Sequence, residues 1–160
     1  MTVNQEEFME EDTQHGRYLT FSLGEDVFGI DIKYVTEIIG MQPITPIPEA
    51  PDYIRGIVNL RGKIIPVMDM RLKFGKEQIA YNDRTCIIVI ETADITTGLI
   101  VDSVAEVLMI GDADIAPPPD TRTGIQNRYI SGIGKSGNDV NLLLSCEKLF
   151  AEEEPEPIGQ

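Results

Sequence analysis

Short stretches in which apolar and polar residues alternate recur along the chain at close spacing. Residues 17–23 alternate, so that Leu19, Phe21 and Leu23 lie on one face of a predicted strand. The residues Gly24-Glu25-Asp26 are typical of a tight turn, and residues 27–32 are predicted to return as a second strand. Residues 33–39 carry apolar side chains at helical spacing. The beginning of the pattern therefore predicts a hairpin followed by a short helix.

Prolines and glycines then decide where the chain can be regular. The prolines between residues 43 and 51 exclude a long helix there and predict an extended connector. Pro66 lies inside a predicted strand and lacks a backbone N–H, which predicts an edge position or a bulge. The further strands predicted by apolar runs between turn residues cover residues 54–60, 63–70, 85–90, 98–101 and 140–144.

The order of these segments repeats within the chain. Residues 29–38 align with residues 98–107, so that Glu37 corresponds to Glu106, and residues 53–57 align with residues 129–133. Because order, spacing and apolar positions all agree, the sequence predicts an internal duplication. Short strands punctuated by glycine and proline favour a mainly β fold of two small barrels over a sandwich or a parallel sheet.

The net charge of −14 is concentrated towards the two ends of the 160 residues. Residues 1–15 and residues 151–160 contain acids but no Lys or Arg. We expect acidic, disordered segments over residues 1–16 and 151–160 around one domain at 17–150. The remainder is only mildly acidic, and this disfavours nucleic-acid binding, which needs a basic surface. The apolar runs are too short to cross a bilayer, and no secretory signal is present, which excludes secreted and membrane-spanning proteins.

Catalytic and metal-binding patterns are not found. His15 is the only histidine and lies in the acidic leader, so neither a zinc site with Cys86 and Cys146 nor a Ser-His-Asp or Cys-His design is available. Residues 132–137 satisfy the GxGxxG string of dinucleotide-binding folds, but that motif requires a helix directly afterwards. Here a turn and a strand are predicted instead, which favours a hairpin. We therefore expect no enzyme activity, no cofactor and no metal.

One stretch reverses the acidic balance. Between residues 53 and 76 the only acid is Asp69, whereas the bases are Arg55, Arg61, Lys63, Arg71, Lys73 and Lys76. These bases either protect a sheet edge from aggregation or form a docking surface for an acidic partner. The position of Arg61 at a hairpin tip favours docking, because a guanidinium can hold a carboxylate with two hydrogen bonds.

Residues 51–70 resemble the signature of the CheW family of bacterial chemotaxis coupling proteins. The segments at 28–39 and 98–107 also resemble that family, and the similarity extends over about residues 17–150. The resemblance implies two five-stranded SH3-like β-barrels packed around a shared core, with short helices, which agrees with the duplication.

The resemblance also implies a non-catalytic adaptor. Such a protein couples the cytoplasmic tips of methyl-accepting chemoreceptors to the regulatory domain of the histidine kinase CheA, and lets the receptors control kinase activity. Its expected location is the cytoplasm, at the inner face of the membrane, where receptor arrays recruit it without direct membrane insertion. The alternative is a CheW-like adaptor of another receptor–kinase pathway, such as surface motility or development.

Partner-binding positions are implied residue by residue, at Val35, Glu37, Arg55, Gly56, Asn59, Arg61 and Gly62. We expect Glu37 and Arg61 to form an ion pair at the junction of the two barrels. Purely structural roles stay open for four of these positions: Val35 as a core residue, Gly56 as a source of an unusual backbone angle, and Asn59 and Gly62 as turn residues. Apolar end faces of the barrels are expected to bind the kinase.

Overall fold

The computed structural model describes residues 16–118 and 124–151. Residues 1–15 and 152–160, to which the predicted acidic segments extend, lie outside the described residues. Within the described part, the strands are β1 (Arg17–Leu23), β2 (Asp26–Asp31), β3 (Val35–Gly40), β4 (Ile54–Leu60), β5 (Lys63–Asp69), β6 (Cys86–Thr92), β7 (Ile95–Val101), β8 (Ser103–Met109), β9 (Ile115–Ala116), β10 (Ile130–Ser136) and β11 (Asp139–Leu144). The short helices are α1 (Met70–Lys73) and α2 (Cys146–Ala151), with 3₁₀ turns at Ile32–Tyr34, Asp112–Asp114 and Gln126–Tyr129.

The strands form two sheets with equivalent strand orders. The first sheet has the order β8-β1-β2-β11-β10-β9 and the second has the order β3-β6-β7-β5-β4. Each contains one parallel pair, β2 with β11 and β5 with β7, among antiparallel neighbours. The prediction of a mainly β, duplicated fold is confirmed. One sheet has a sixth strand, because the two residues of β9 pair with β10.

The two repeats exchange hairpins. The six-stranded sheet takes β1 and β2 from the first repeat and β10 and β11 from the second, whereas the five-stranded sheet combines β4 and β5 with β6 and β7. Each sheet also curls on itself. In the five-stranded sheet the segment after β3 pairs with β4 through a Thr45–Ile57 bridge. In the six-stranded sheet β9, which follows β8, pairs with β10. Both repeats are therefore needed to complete either unit.

A continuous apolar core joins the sheets. Leu19, Phe21 and Leu23 are buried, as their alternation predicts. They pack in one cluster with buried residues of the other sheet, among them Met68, Ile88 and Leu99. A second, smaller cluster lies within the five-stranded sheet and contains Val58, Ile65, Val67, Ile87, Val89 and Ile100. The sheets therefore share a core, and the five-stranded sheet also has one of its own.

Two local predictions are corrected by the structure. The helix predicted at 33–39 is wrong, because the chain makes a 3₁₀ turn over Ile32–Tyr34 and then strand β3. The β-branched residues from Val35 to Ile39 favour extended backbone over helix. Pro66 is not at an edge, because β5 is an interior strand, and the bulge of the β4–β5 pair lies on β4, between Ile54 and Gly56. The parallel pairing of β5 with β7 begins only at Val67, so the missing N–H of Pro66 is tolerated.

The glycine-rich stretch at 132–137 belongs to a hairpin. Strand β10 ends at Ser136, and β11 begins at Asp139 and pairs with it. The glycines are therefore followed by a strand, and this stretch offers no helix N-terminus to hold a phosphate. The hairpin interpretation is confirmed.

Candidate interaction surface

The tip of the β4–β5 hairpin presents Arg61 to solvent. Arg61 and Gly62 both have positive φ angles, 53° and 89°, which is the backbone of the tight turns that suit twisted hairpins. The side chain of Asn59 stabilises this turn, because its Oδ1 accepts a hydrogen bond from the Gly62 N–H at 2.8 Å. Asn59 and Gly62 therefore shape the turn, and Arg61 is held at its tip in a conformation that is uncommon for a residue with a side chain.

Glu37 on β3 forms an ion pair with Arg61. The guanidinium donates to Oε2 of Glu37, and the side chains of Arg61 and Glu37 are 69% and 31% exposed. Glu37 lies in β3 and Arg61 directly follows β4, and the curl of the five-stranded sheet brings these two outer strands together. The predicted ion pair is confirmed. Its predicted place is wrong, because both partners belong to one sheet and not to the junction between the sheets.

Gly56 allows the close approach that closes this sheet. Its φ angle is 145°, and a Cβ there would lie 2.1 Å from the carbonyl oxygen of Thr45. Directly beside it, Thr45 and Ile57 exchange two backbone hydrogen bonds of 2.9 Å. The register of β4 on β5 also shifts between Ile54 and Gly56. A side chain at position 56 would therefore displace the segment that joins the two outer strands.

Val35 and Arg55 occupy half-buried positions near this surface. Val35 begins β3 and packs against the core shared by the two sheets, so it is partly a core residue. Arg55 lies near the start of β4, and its Nη1 donates a 3.4 Å hydrogen bond to the carbonyl oxygen of Asp52. The two residues belong to the same sheet as Arg61 and Glu37.

A depression of about 350 Å³ opens beside the ion pair. It lies between β3 and the tips of the β4–β5 and β6–β7 hairpins. Lys63 spans it, because its Nζ donates a 3.2 Å hydrogen bond to the Thr96 hydroxyl. Its lining residues are Thr36, Glu37, Leu60, Arg61, Lys63, Ile65, Val89, Glu91 and Thr96. The mixture of charged, hydroxyl and aliphatic groups suits contact with another polypeptide.

Two exposed apolar residues that neighbour this region in sequence were not predicted. Ile38, which follows Glu37, is 44% exposed, and Ile64, in the strand after the Arg61 turn, is 55% exposed. The alternation of inward and outward positions along a strand would have identified Ile38 as exposed. Residues 35, 37 and 39 turn inward in β3, so Ile38 must point outward. The Glu37–Arg61 pair and the depression beside it are called the hairpin surface below.

The basic residues between 53 and 76 do not form one docking face. Arg71 is paired with Asp102, Lys76 with Asp26, and Arg61 with Glu37. Lys73 is buried, with its Nζ over the aromatic rings of Tyr53 and Tyr129 at 4.1 and 5.2 Å from the ring centres. Three of the six bases, Arg71, Lys73 and Lys76, are therefore engaged within the chain and away from the hairpin tip. The other three bases, Arg55, Arg61 and Lys63, all lie in the β4–β5 hairpin, so the docking alternative is confined to this hairpin.

Over residues 16–118 and 124–151, no His, Cys, Asp and Glu side chains gather in a group of three or more that could hold a metal ion. In the same residues, no helix is both long and apolar enough to cross a membrane. The two cysteines are unpaired thiols: Cys86 is half-buried and Cys146 is buried. Burial raises the pKa of the Cys146 thiol to about 12, which keeps it protonated at neutral pH.

The paired barrels with a charged hairpin at the surface define a class of protein-interaction module. Comparison with known proteins identifies the family. Residues 17–154 match the family described as CheW-like domain. The chemotaxis protein CheW of Klebsiella aerogenes is 37% identical over 137 residues, which cover 86% of this chain and 82% of that protein. The chemotaxis protein CheW of Treponema pallidum is 34% identical over 96% of this chain and 88% of its own length.

A solved structure is similar as well. The crystal structure of the scaffolding protein TtCheW from Thermoanaerobacter tengcongensis matches with a TM-score of 0.78 and 38% identity, over 84% of this chain and 92% of that chain. The chain belongs to the CheW-like family. It is a non-catalytic adaptor of chemotaxis signalling and not an enzyme.

Proposed function

We propose that this chain couples the cytoplasmic tips of methyl-accepting chemoreceptors to the regulatory domain of the histidine kinase CheA. The supporting observation is the exposed Arg61–Glu37 pair, displayed at the tip of a strained turn in a chain of the CheW-like family. A fixed pair of opposite charges can orient a partner and raise its encounter rate. The chain would work in the cytoplasm, at the inner face of the membrane where receptor arrays gather.

The predicted site residues would act in two ways. Glu37 and Arg61 would touch a partner directly, since both side chains reach solvent. Gly56 would act indirectly, because it shapes the closure of the sheet.

The four remaining predicted positions would support the hairpin surface. Asn59 and Gly62 would act through the turn that presents Arg61. Val35 and Arg55 would form the half-buried margin of the surface.

The direct test is autophosphorylation of CheA on receptor-bearing membranes, with and without this chain. We expect a chain-dependent rise in kinase activity that attractant suppresses. The Arg61→Glu variant should lose most of this rise, because it places two carboxylates side by side at the hairpin surface. Arg84→Glu, in the exposed loop before β6, is the matched charge reversal and should couple like the wild type.

Stability separates a docking role from a structural one. An exposed ion pair contributes roughly 0–1 kcal/mol, so Arg61→Gln should unfold within about 1 kcal/mol of the wild type. Normal coupling by folded Arg61→Glu would exclude a docking role for Arg61. If the wild-type chain gives no rise with cognate partners, the alternative pathway, surface motility or development, becomes the better assignment. Swimming and surface spreading of a deletion strain then decide between them.

A further inference from the structure

The chain crosses from one sheet to the other at two places in the described residues. The first crossing is the 3₁₀ turn between β2 and β3, and the second is Asp102 alone, between β7 and β8. Only this one residue separates strands that belong to different sheets, so the backbone around Asp102 has little conformational freedom. The orientation of this residue therefore bears directly on how the sheets are set against each other.

Asp102 is held from both sides. From the five-stranded sheet, Arg71 of α1 donates from Nε to Oδ1 at 2.8 Å and from Nη2 to Oδ2 at 2.7 Å. From the six-stranded sheet, the Gly24 N–H donates to Oδ2 at 2.8 Å, and the Asp102 N–H donates to the carbonyl oxygen of Ser22 at 3.2 Å. The Arg71 and Asp102 side chains are only 15% and 22% exposed. We call these contacts the junction clasp.

A second ion pair crosses at the same place. Nζ of Lys76, just after α1, lies 3.1 Å from Oδ2 of Asp26, the first residue of β2. The segment that follows β5 therefore holds the tip of the β1–β2 hairpin in two ways: Lys76 pairs with Asp26 directly, and Arg71 holds Asp102, which accepts from the Gly24 N–H. Arg71 is itself fixed, because its backbone N–H donates to buried Asp69 and its Nη1 donates to the carbonyl oxygen of Glu77.

The clasp and the shared core constrain the sheets in different ways. Apolar packing is non-directional, so the shared core by itself supplies no contact with a defined direction between the sheets. A two-pronged Arg–carboxylate contact has a fixed plane and direction. The Arg61–Glu37 pair, by contrast, joins two strands of one sheet and adds nothing across the junction.

We propose that Arg71 and Asp102 are positioning residues that fix the orientation of the two sheets, and that receptor control of the kinase requires this fixed orientation. The second half of the proposal rests on the proposed function. In this proposal the receptor and the kinase dock on different barrels, so that the signal between them needs a rigid connection between the sheets. A loosened connection leaves each binding surface intact and removes the coupling.

Residual dipolar couplings of backbone amides test the orientation without any reference to partners. In the wild type, one alignment tensor should fit the amides of both sheets. In Arg71→Gln and Asp102→Asn, each sheet should still fit its own tensor, but a single tensor should no longer fit both. Arg71→Lys keeps the charge but cannot make both hydrogen bonds to Asp102 in the fixed plane of a guanidinium. This variant should remain folded, and its two sheets should depart from a single tensor by less than those of Arg71→Gln.

Ile87→Val is the matched control for lost stability. Ile87 is fully buried in the core cluster that lies within the five-stranded sheet, so this variant is destabilised without touching the clasp. It should keep a single tensor. A single tensor in folded Arg71→Lys and Asp102→Asn would overturn the orientation claim.

Coupling is measured on the same variants. The affinity for receptor membranes alone and for the kinase regulatory domain alone should match the wild type. The receptor-dependent rise in kinase activity should fall about tenfold, within the range of typical coupling energies. Normal coupling by a variant that needs two tensors would refute the link to kinase control. A wild-type chain that fails to couple refutes the proposed function instead, and the dipolar couplings still decide the role of the clasp.

Discussion

Replacing Gly56 by alanine tests the closure of the five-stranded sheet. A Cβ at this position would lie 2.1 Å from the carbonyl oxygen and 2.7 Å from the carbonyl carbon of Thr45. Both atoms are backbone, so no side-chain rotation can relieve the clash. The segment around Thr45 must move, and the two 2.9 Å hydrogen bonds between Thr45 and Ile57 must lengthen or break.

The size of the effect follows from two costs. Holding a residue with a side chain at a φ of 145° costs about 1–3 kcal/mol. Each lost hydrogen bond adds about 0.5–1.5 kcal/mol. The Gly56→Ala variant should therefore lose about 2–6 kcal/mol of unfolding free energy, against a total of about 5–15 kcal/mol for a typical domain.

Substitutions at two other glycines separate the cost of backbone strain from the cost of the clash with Thr45. Gly62 has a positive φ of 89°, but a Cβ added to it would meet no atom within 4 Å, so Gly62→Ala carries only backbone strain. Gly40 has open space and an ordinary backbone, so Gly40→Ala should be within about 0.5 kcal/mol of the wild type. Urea unfolding at neutral pH measures all three. Equal urea midpoints for Gly56→Ala and Gly40→Ala would contradict the expected clash with Thr45.

Three further predictions use the ionisable groups. The hydrogen bond from Arg71 holds the pKa of Asp102 below that of an ordinary aspartate, so its stabilisation is complete above the unfolded-state pKa and is lost as the pH falls through the folded-state pKa. Urea midpoints between about pH 7 and about pH 2 should therefore show the stability gap between wild type and Asp102→Asn shrinking on acidification; a constant gap contradicts this. Thiol titration at pH 8 should modify half-buried Cys86 well before buried Cys146, and Cys86→Ser should leave the native chain almost unreactive until urea is added. Tyr81→Phe removes the 2.8 Å hydrogen bond to the buried Asp69 carboxylate and should cost about 1–3 kcal/mol in thermal unfolding, and an unchanged Tm would show that water replaces the hydroxyl.

The strands could be predicted because apolar and polar residues alternate along them in the sequence. Leu19, Phe21 and Leu23 alternate with polar residues, and the structure buries all three. The helix expected at 33–39 failed because a short run with apolar residues three apart also fits a strand whose every second residue points inward. In such a run the β-branched residues decide, and they favour the strand.

The exchange of hairpins could not be predicted from the repeats. The alignment of residues 29–38 with 98–107 indicates that two segments have the same shape, but not which copy pairs with which. The bases were misjudged for a related reason. The partners of Arg71 and Lys76, Asp102 and Asp26, are distant in sequence, and only the fold brings them close. The Glu37–Arg61 pair was anticipated through the family resemblance, which carries such long-range information.

The hairpin exchange has a consequence for the order of events during synthesis. The six-stranded sheet places β2, which is made early, beside β11, which is made late, in a parallel pair. The hairpin of β1 and β2 therefore leaves the ribosome long before the strand that completes its sheet. The five-stranded sheet, whose strands are continuous in sequence from β3 to β7, is complete earlier. The nascent chain should hold one finished barrel and one waiting hairpin with its apolar face uncovered, and such long-range pairing slows folding.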